Sequence, residues 1–392
     1  MLRSLFSGIS GLKAHQTMLD VSGNNIANVN TTGYKSSQTQ FQDTLSQVIS
    51  TATAGTNAAG GTNPAQVGLG VRVAGITTNF TQGAAQLTNV STDMMISGDG
   101  FFTVRSGAQT LFTRAGGFSF DSTGHLVTAS GAFVQGWAAT DGAINTNGGL
   151  SDLQLPTEAM GAKASTAASF TGNVPTDADG TAADIVRTID VFDNLGQSRT
   201  VTLTFSNTAA GAWSVAASDG SAAVAATPLA FDAAGKLTSP TSLALGAVAV
   251  DIGAITGFAS LSTLAAGTQD GQEAGTLQSF ALSSDGTLMG SYSNGLTQAI
   301  GQLALATFNN PAGLEKTGDS MYTTSVNSGA AEIGTAGTGG RGSLANGALE
   351  MSNVDLSSEF TNLIIAQRGF QANARVITTS DSLLEELVNL KR

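Results

Sequence analysis

The apolar positions at the two ends of the chain recur with a period of seven. Near the N-terminus Leu5, Leu12, Leu19 and Ile26 form one column; Leu2, Ile9, Gln16 and Gly23 form a second, offset by three. Near the C-terminus Leu356, Leu363, Phe370, Ile377 and Leu384 form one column, and Phe360, Gln367, Ala374, Asp381 and Val388 run beside it. Paired columns at this spacing predict helices with a narrow apolar stripe, each suited to pack on another helix. Between the ends the period drops to two. "FFTVR", "SGAQ" and "TLFTR" read as a hairpin, and "FSFDSTGHLVTASGAFVQG" as another, turning at Gly124 and Gly131. "DIVRTIDVF", "DNLGQ" and "SRTVTLTF" read as an antiparallel pair. The predicted fold class is mainly β with α-helical termini.

Helices at opposite chain ends that lie side by side force the chain to travel out and return. Each layer beyond them is then built from two separated segments, and only the outermost can be contiguous. Residues 1–30 and 354–392 are expected to form a paired, coiled-coil-type helical domain, and 31–70 an arm or short helix with a linker. Residues 71–150 and 283–353 are expected to make one β-rich domain, and 151–282 an inserted outer β domain. A two-helix pair cannot hide both stripes and stand alone, so the ends should order fully only in an assembly. Leu2, Leu5, Ile9, Leu12, Leu19, Ile26, Leu356, Phe360, Leu363, Phe370, Ile377, Leu384 and Val388 are the expected subunit-interaction positions. Gln16 and Gln367 would fix register through buried amides.

The first helix ends in "NNIANVNTTGYK", residues 24 to 35. Asparagine is a middling helix former, because its amide competes for backbone groups. Asn24 and Asn28 are four apart and Asn25 and Asn28 three apart, so their amides share a face. Such amides are expected to bond across a subunit boundary without the desolvation cost of a charge. Asn30 and Gly33 tolerate left-handed backbone and would let the chain leave the helix.

Composition narrows the functional classes. Only 11% of the 392 residues are charged, against about 25% in a typical soluble domain. There are 49 glycines and no cysteine, so neither disulfides nor thiolate metal sites are available. The net charge of −12 leaves no basic patch for nucleic acid. Residues 151–282 hold 12 acidic and 4 basic residues, two-thirds of the net charge. An acidic outer layer keeps a polymer soluble against itself. No run approaches the ~18 apolar residues of a membrane span. The opening "MLRSLFSGISGLKAHQ" is broken by serine and glycine and does not read as a secretory signal.

Candidate chemistry is sparse. His15 and His125 belong to no H-E-x-x-H or triad-like arrangement and read as structural. "DADGTAAD", with Asp177, Asp179 and Asp184, lacks the bidentate Glu of a calcium loop. "GTAGTGGRGS" has no Lys-Ser/Thr to hold phosphates. Trp137 and Trp213 read as core residues of the two β domains. No enzyme, cofactor or metal site is expected.

"SGNNIANVNTTGYK" resembles the N-terminal signature of the bacterial flagellar axial proteins of rod and hook. "GALEMSNVDLSSEFTNLIIAQRGFQANARVITTSDSLLEELVNLKR" resembles the matching C-terminal signature. "SGDGFFTV", "SSDGTLMGSYSNG" and "LALATFNNPAGLEKTGDSMY" are similar to interior segments of hook subunits, whereas the match is weak from about 150 to 282. The resemblance implies export without a cleaved signal through the flagellar type III apparatus, addition at the distal tip, and a curved tubular polymer. That tube acts as a universal joint carrying torque from rod to filament, outside the cell. Implied partners are further copies of the chain, rod and hook–filament junction proteins, the hook cap and the export apparatus, with no membrane insertion. A distal rod subunit is the nearest alternative, although rod subunits mostly lack a large inserted domain. A secreted β-rich adhesin would explain the glycine turns but not the striped ends.

Overall fold

The computed structural model describes residues 2–55, 60–177 and 179–389. The chain divides into two compact units. One comprises Met1–Leu155, Ala281–Met289 and Ala299–Arg392, and the other Pro156–Phe280 and Gly290–Gln298.

In the first unit, helix α1 spans Leu2–Ala27 and helix α2 spans Leu356–Asn389. The Asp355 carboxylate caps α2 by accepting from the backbone N–H groups of Ser357 and Ser358, at 2.9 and 3.3 Å. Residues 31–70, expected as an arm and linker, hold strands. Ser37–Asp43 pairs with Val71–Thr78, and Ser46–Ser50 pairs with Ala65–Gly68, both antiparallel. Together they form a two-stranded ribbon rising from α1.

The β part of this unit is built from two distant chain segments. Phe101–Ser106 and Gln109–Thr113 form the first predicted hairpin, with Gly107 at φ +60° in the turn. Phe118–Phe120, Leu126–Thr128 and Phe133–Thr140 form the second as a short meander. The returning chain completes the fold. Leu305–Thr307 pairs with the 101–106 strand, Met321–Thr323 with 109–113, Ser343–Asn346 with Met94–Ser97, and Ala348–Glu350 with Ala85–Leu87. Phe101, Phe112, Phe308 and Tyr322 pack edge-on in one core, with Phe80 beside them. Such T-shaped contacts align ring edges with ring faces and add ~0.5–1.5 kcal/mol each beyond area burial. Trp137 is buried in this unit, and its indole N–H donates to the Gly148 carbonyl at 3.2 Å.

The second unit holds two four-stranded sheets. Ile185–Phe192, Ser198–Ala209, Ala212–Ser218 and Ala223–Pro228 form an antiparallel meander whose first pair is the one the alternation predicts. Ser242–Leu245, Val248–Thr256, Ala167–Asn173 and Ala265–Gln269 form the other sheet, in which 167–173 runs parallel to 248–256. Inward residues of both sheets join one core, including Phe170, Leu203, Phe205, Trp213, Val250 and Ile252. Trp213 satisfies its indole N–H on the Pro175 carbonyl at 2.8 Å.

Asp270 ties the edge of the second sheet. It accepts from the Thr166 hydroxyl at 2.5 Å and from the backbone N–H groups of Thr166 and Ala167 at 2.8 and 2.9 Å. The Thr166 hydroxyl, then the Ala167 amide, hold its pKa down to about 2 from 3.8. These bonds favour the ionised form in the folded state, so their stabilisation is complete above pH ~4 and disappears as pH falls towards 2. Thermal unfolding of the full chain across that window should show a falling midpoint. Asp270→Asn is expected to flatten the fall.

Candidate assembly interface

The two end helices pair along a line of small residues. Gly8, Gly11, Ala14 and Ser22 are buried on α1, and Ala366 and Ser380 on α2. A methyl group on Gly11 would lie 2.7 Å from the Asn373 amide oxygen, and one on Gly369 would lie 2.5 Å from His15 Nε2. Glycine at both points leaves room for the Asn373 and His15 side chains to lie against the facing helix, where a Cβ would displace them. The pair is antiparallel. Asn25 meets Glu359, His15 meets Gly369, Gly11 meets Asn373, Gly8 meets Ile377 and Ser4 meets Ser380.

This line is displaced from the predicted seam. Leu5, Leu12, Leu19 and Ile26 flank it and are half-buried, as are Leu363, Phe370, Ile377 and Leu384. The companion columns turn outward: Ile9, Gln16, Phe360, Gln367 and Val388 are exposed, and so is Leu356. Leu2 begins α1, but its side chain lies outside the described residues. The physical reason is size. Large side chains cannot occupy the closest line between two helices when glycine and serine can, so they take the flanks and the outside. The outer surface of the pair is therefore apolar in places, with Phe6 67%, Ile364 56% and Val388 71% exposed.

The asparagine run is used within the chain. Asn25 is fully buried; its amide N–H₂ donates to Ser37 O at 2.8 Å and to Glu359 Oε1 at 2.9 Å. Its amide oxygen accepts from Ser37 N at 3.0 Å. Both amide N–H groups of Asn25 are thus spent within the chain. Asn24 accepts from the Tyr34 hydroxyl at 2.7 Å, and Asn28 donates back to the Asn24 carbonyl at 2.9 Å. Burial, then the Glu359 charge, raise the Tyr34 pKa, which keeps its hydroxyl a donor. Gly33 takes φ +67° as expected, while Asn30 keeps a negative φ. A Cβ at Gly33 would fall 2.5 Å from the Ala115 nitrogen, so both conformation and space demand glycine there.

Just beyond the run lies a buried ionic knot that sequence reading missed. Lys35 and Glu350 are fully buried and 2.6 Å apart, and Arg114 approaches the second Glu350 oxygen at 3.4 Å. Lys35 also donates to Thr81 O at 2.8 Å, and Gly83 N donates to Glu350 at 2.8 Å. Burial outweighs the attraction of Glu350 and lowers the Lys35 pKa. Asn353 completes the knot by accepting from Ser36 N and donating to Asn79 O, both at 2.8 Å. Lys316 closes its rim over the Tyr34 ring and donates to Ser37 Oγ at 3.0 Å. The knot clamps the exit of α1 to the entry of α2, and so sets the register of the pair.

Other candidates take structural places. His125 packs edge-on against Phe133. Asp177 accepts from Ser260, and Asp179 from Thr181, so the two acids face different partners. Among the described residues no group of three or more His, Asp or Glu is placed to hold a metal ion. No described helix is long and apolar enough to cross a membrane.

Comparison with known proteins accounts for this architecture. The model "Flagella basal body rod protein" matches residues 5–35, "Flagellar hook protein FlgE/F/G D1 domain" matches 95–175, "Flagellar basal body protein FlaE D2 domain" matches 162–310, and "Flagellar basal body rod FlgEFG protein C-terminal" matches 345–390. The flagellar hook protein FlgE of Treponema pallidum is 40% identical over the whole of both chains. That of Escherichia coli is 38% identical, with 98% of each chain covered. The basal-body rod protein FlgG of Bacillus subtilis is 35% identical over the whole of both. The Helicobacter pylori hook protein FlgE2 structure shares the fold, with a TM-score of 0.51 at 14% identity, covering 68% of this chain and all of that one. With antiparallel end helices, two distant segments in one β unit and full-length identity to hook subunits, the chain belongs to the flagellar hook protein FlgE family.

Proposed function

We propose that the chain polymerises into the curved tube of the flagellar hook, outside the cell, and passes torque from rod to filament as a flexible joint. The observation that carries this reading is the end-helix pair, whose inner line is filled while Phe6, Phe360, Ile364, Ile365 and Leu383 remain exposed. Apolar surface of that kind is covered when copies pack side by side. The family is a structural one, not an enzyme family. Copies of the chain are the main partners; rod, junction and cap proteins and the type III export apparatus are the others. A distal rod subunit is the second reading, favoured by the match to FlgG. A β-rich adhesin leaves the helix pair without a role.

Flexibility needs outer contacts that exchange while inner contacts hold. Ser, Thr, Asn and Gln groups bond over short range and trade partners readily with water. The second unit, acidic and rich in such groups, suits the outer role, and the helices suit the inner one. Electron microscopy of the purified chain at rising concentration tests the reading. Curved hollow tubes are expected; straight rods would favour the rod alternative, and no polymer would overturn both. Removing residues 156–280 should leave tubes forming but alter their curvature or stiffness, and loss of all polymer in that variant would contradict the division of roles.

A further inference from the structure

Three Asn-Gly pairs lie in the chain, at 147–148, 294–295 and 346–347. In such a pair the main chain can attack the side chain, because glycine has no Cβ to shield its nitrogen from the preceding amide carbon. The fold decides whether the attack is open, by how it holds the two groups. Two of the pairs are locked. The Asn294 amide donates to Glu273 O at 3.0 Å and accepts from Leu296 N at 3.1 Å, while Gly295 N donates to Tyr292 O at 3.0 Å. Asn346 stands in a strand opposite Met94 and donates to Leu282 O at 3.1 Å, and Gly347 N donates to Asp93 O at 2.9 Å. Each of these side chains must give up its own bonds before its amide carbon can turn to the glycine nitrogen.

Asn147 is held differently. It is exposed, and among the described residues no hydrogen bond restrains its side-chain amide. Its backbone N–H donates to Asn145 Oδ1 at 3.1 Å, and Gly148 N reaches Asn145 O at 3.2 Å, the longest of the three glycine bonds. Gly149 follows with open space around it. The loop is nevertheless anchored at both ends, since Ala143–Ile144 and Ser151–Asp152 both pair with Phe133–Thr140. We propose that Asn147 is a self-modification site, at which the chain converts its own amide to a carboxylate. Gly148 N bonds to the Asn147 amide carbon, and the amide nitrogen leaves as ammonia with the proton that Gly148 N loses. Water then opens the five-membered imide. Opening at the side-chain carbonyl gives aspartate; opening at the main-chain carbonyl gives isoaspartate, which carries an extra methylene in the backbone. Either product places a new negative charge next to Gly148, whose carbonyl accepts from the Trp137 indole.

The test uses the folded full chain, incubated at mildly alkaline pH and digested at low pH, where the imide forms slowly. The three Asn-Gly peptides are followed by mass for the conversion of amide to acid. Residue 147 should convert at least tenfold faster than 294 and 346, and in concentrated urea the three rates should converge. Equal rates in the folded chain, or a 147 that lags the other two, would overturn the proposal. Gly148→Ala tests the attacking nitrogen. A Cβ there meets nothing closer than Asn145 O at 3.3 Å, so circular dichroism should be unchanged while conversion at 147 slows at least tenfold. An unchanged rate in this variant would mean direct hydrolysis by water and would overturn the ring step.

Discussion

Deleting residues 356–392 is expected to abolish tube formation while both β regions stay folded. α2 contributes half of the helix pair and most of its exposed apolar residues, among them Phe360, Ile364, Ile365, Val376 and Leu383. Without it, α1 loses the partner for Gly8, Gly11 and His15, and Asn25 loses Glu359. A single amphipathic helix with nothing beside it is barely stable in water, so α1 should fray as well. The β cores do not draw on the helices: the Phe101–Phe112–Tyr322 cluster and the Phe170–Trp213–Ile252 core contain no residue of either. Circular dichroism should therefore lose its helical signal and keep the β signal and a cooperative unfolding transition. Tubes of normal appearance from the truncated chain would sink the assembly role of the ends.

Glu350→Ala is expected to destabilise the first unit by about 3–5 kcal/mol, the usual cost of leaving a buried charge without its partner. Two cations face Glu350, Lys35 at 2.6 Å and Arg114 at 3.4 Å, and the Gly83 amide also depends on it. Lys35 has no route to water, since its side chain is fully buried. Its lowered pKa, caused first by burial, shows that the charged pair itself is held at a desolvation cost. Replacing all three charges should therefore be milder than replacing Glu350 alone. Lys35→Met with Glu350→Leu and Arg114→Met, which leaves no buried charge unpaired, is expected to recover much of the loss. Denaturant unfolding of the single and triple variants measures this directly. A Glu350→Ala loss under 1 kcal/mol would remove the knot from the account.

Much of this architecture is legible in the sequence because it rests on local periodicity. The striped ends predicted α1 and α2, and the alternating runs with glycine turns predicted the hairpins at 101–113 and 185–209. The terminal signatures pointed to the flagellar axial proteins. What periodicity could not reach falls into two kinds. The helix contact line runs through Gly8, Gly11, Ser22, Ala366 and Gly369, and a search for large apolar residues passes over these in favour of their flanks. The Lys35–Glu350 pair joins residues more than three hundred positions apart, and nothing local to either marks the other. Residues 31–70 read as an arm and linker because their small and uncharged polar residues lack a buried face, which is also why the distal strands, 46–50 and 65–68, are exposed on a single chain.

Hydrogen exchange of the full chain, measured by segment before and after assembly, tests the central claim most directly. If sister copies cover the outer face of the end helices, amides in 2–27 and 356–389 should exchange much more slowly in tubes, while those in 156–280 change little. Equal protection of both helices in free chain and tube, with the slowing confined to 156–280, would contradict the account.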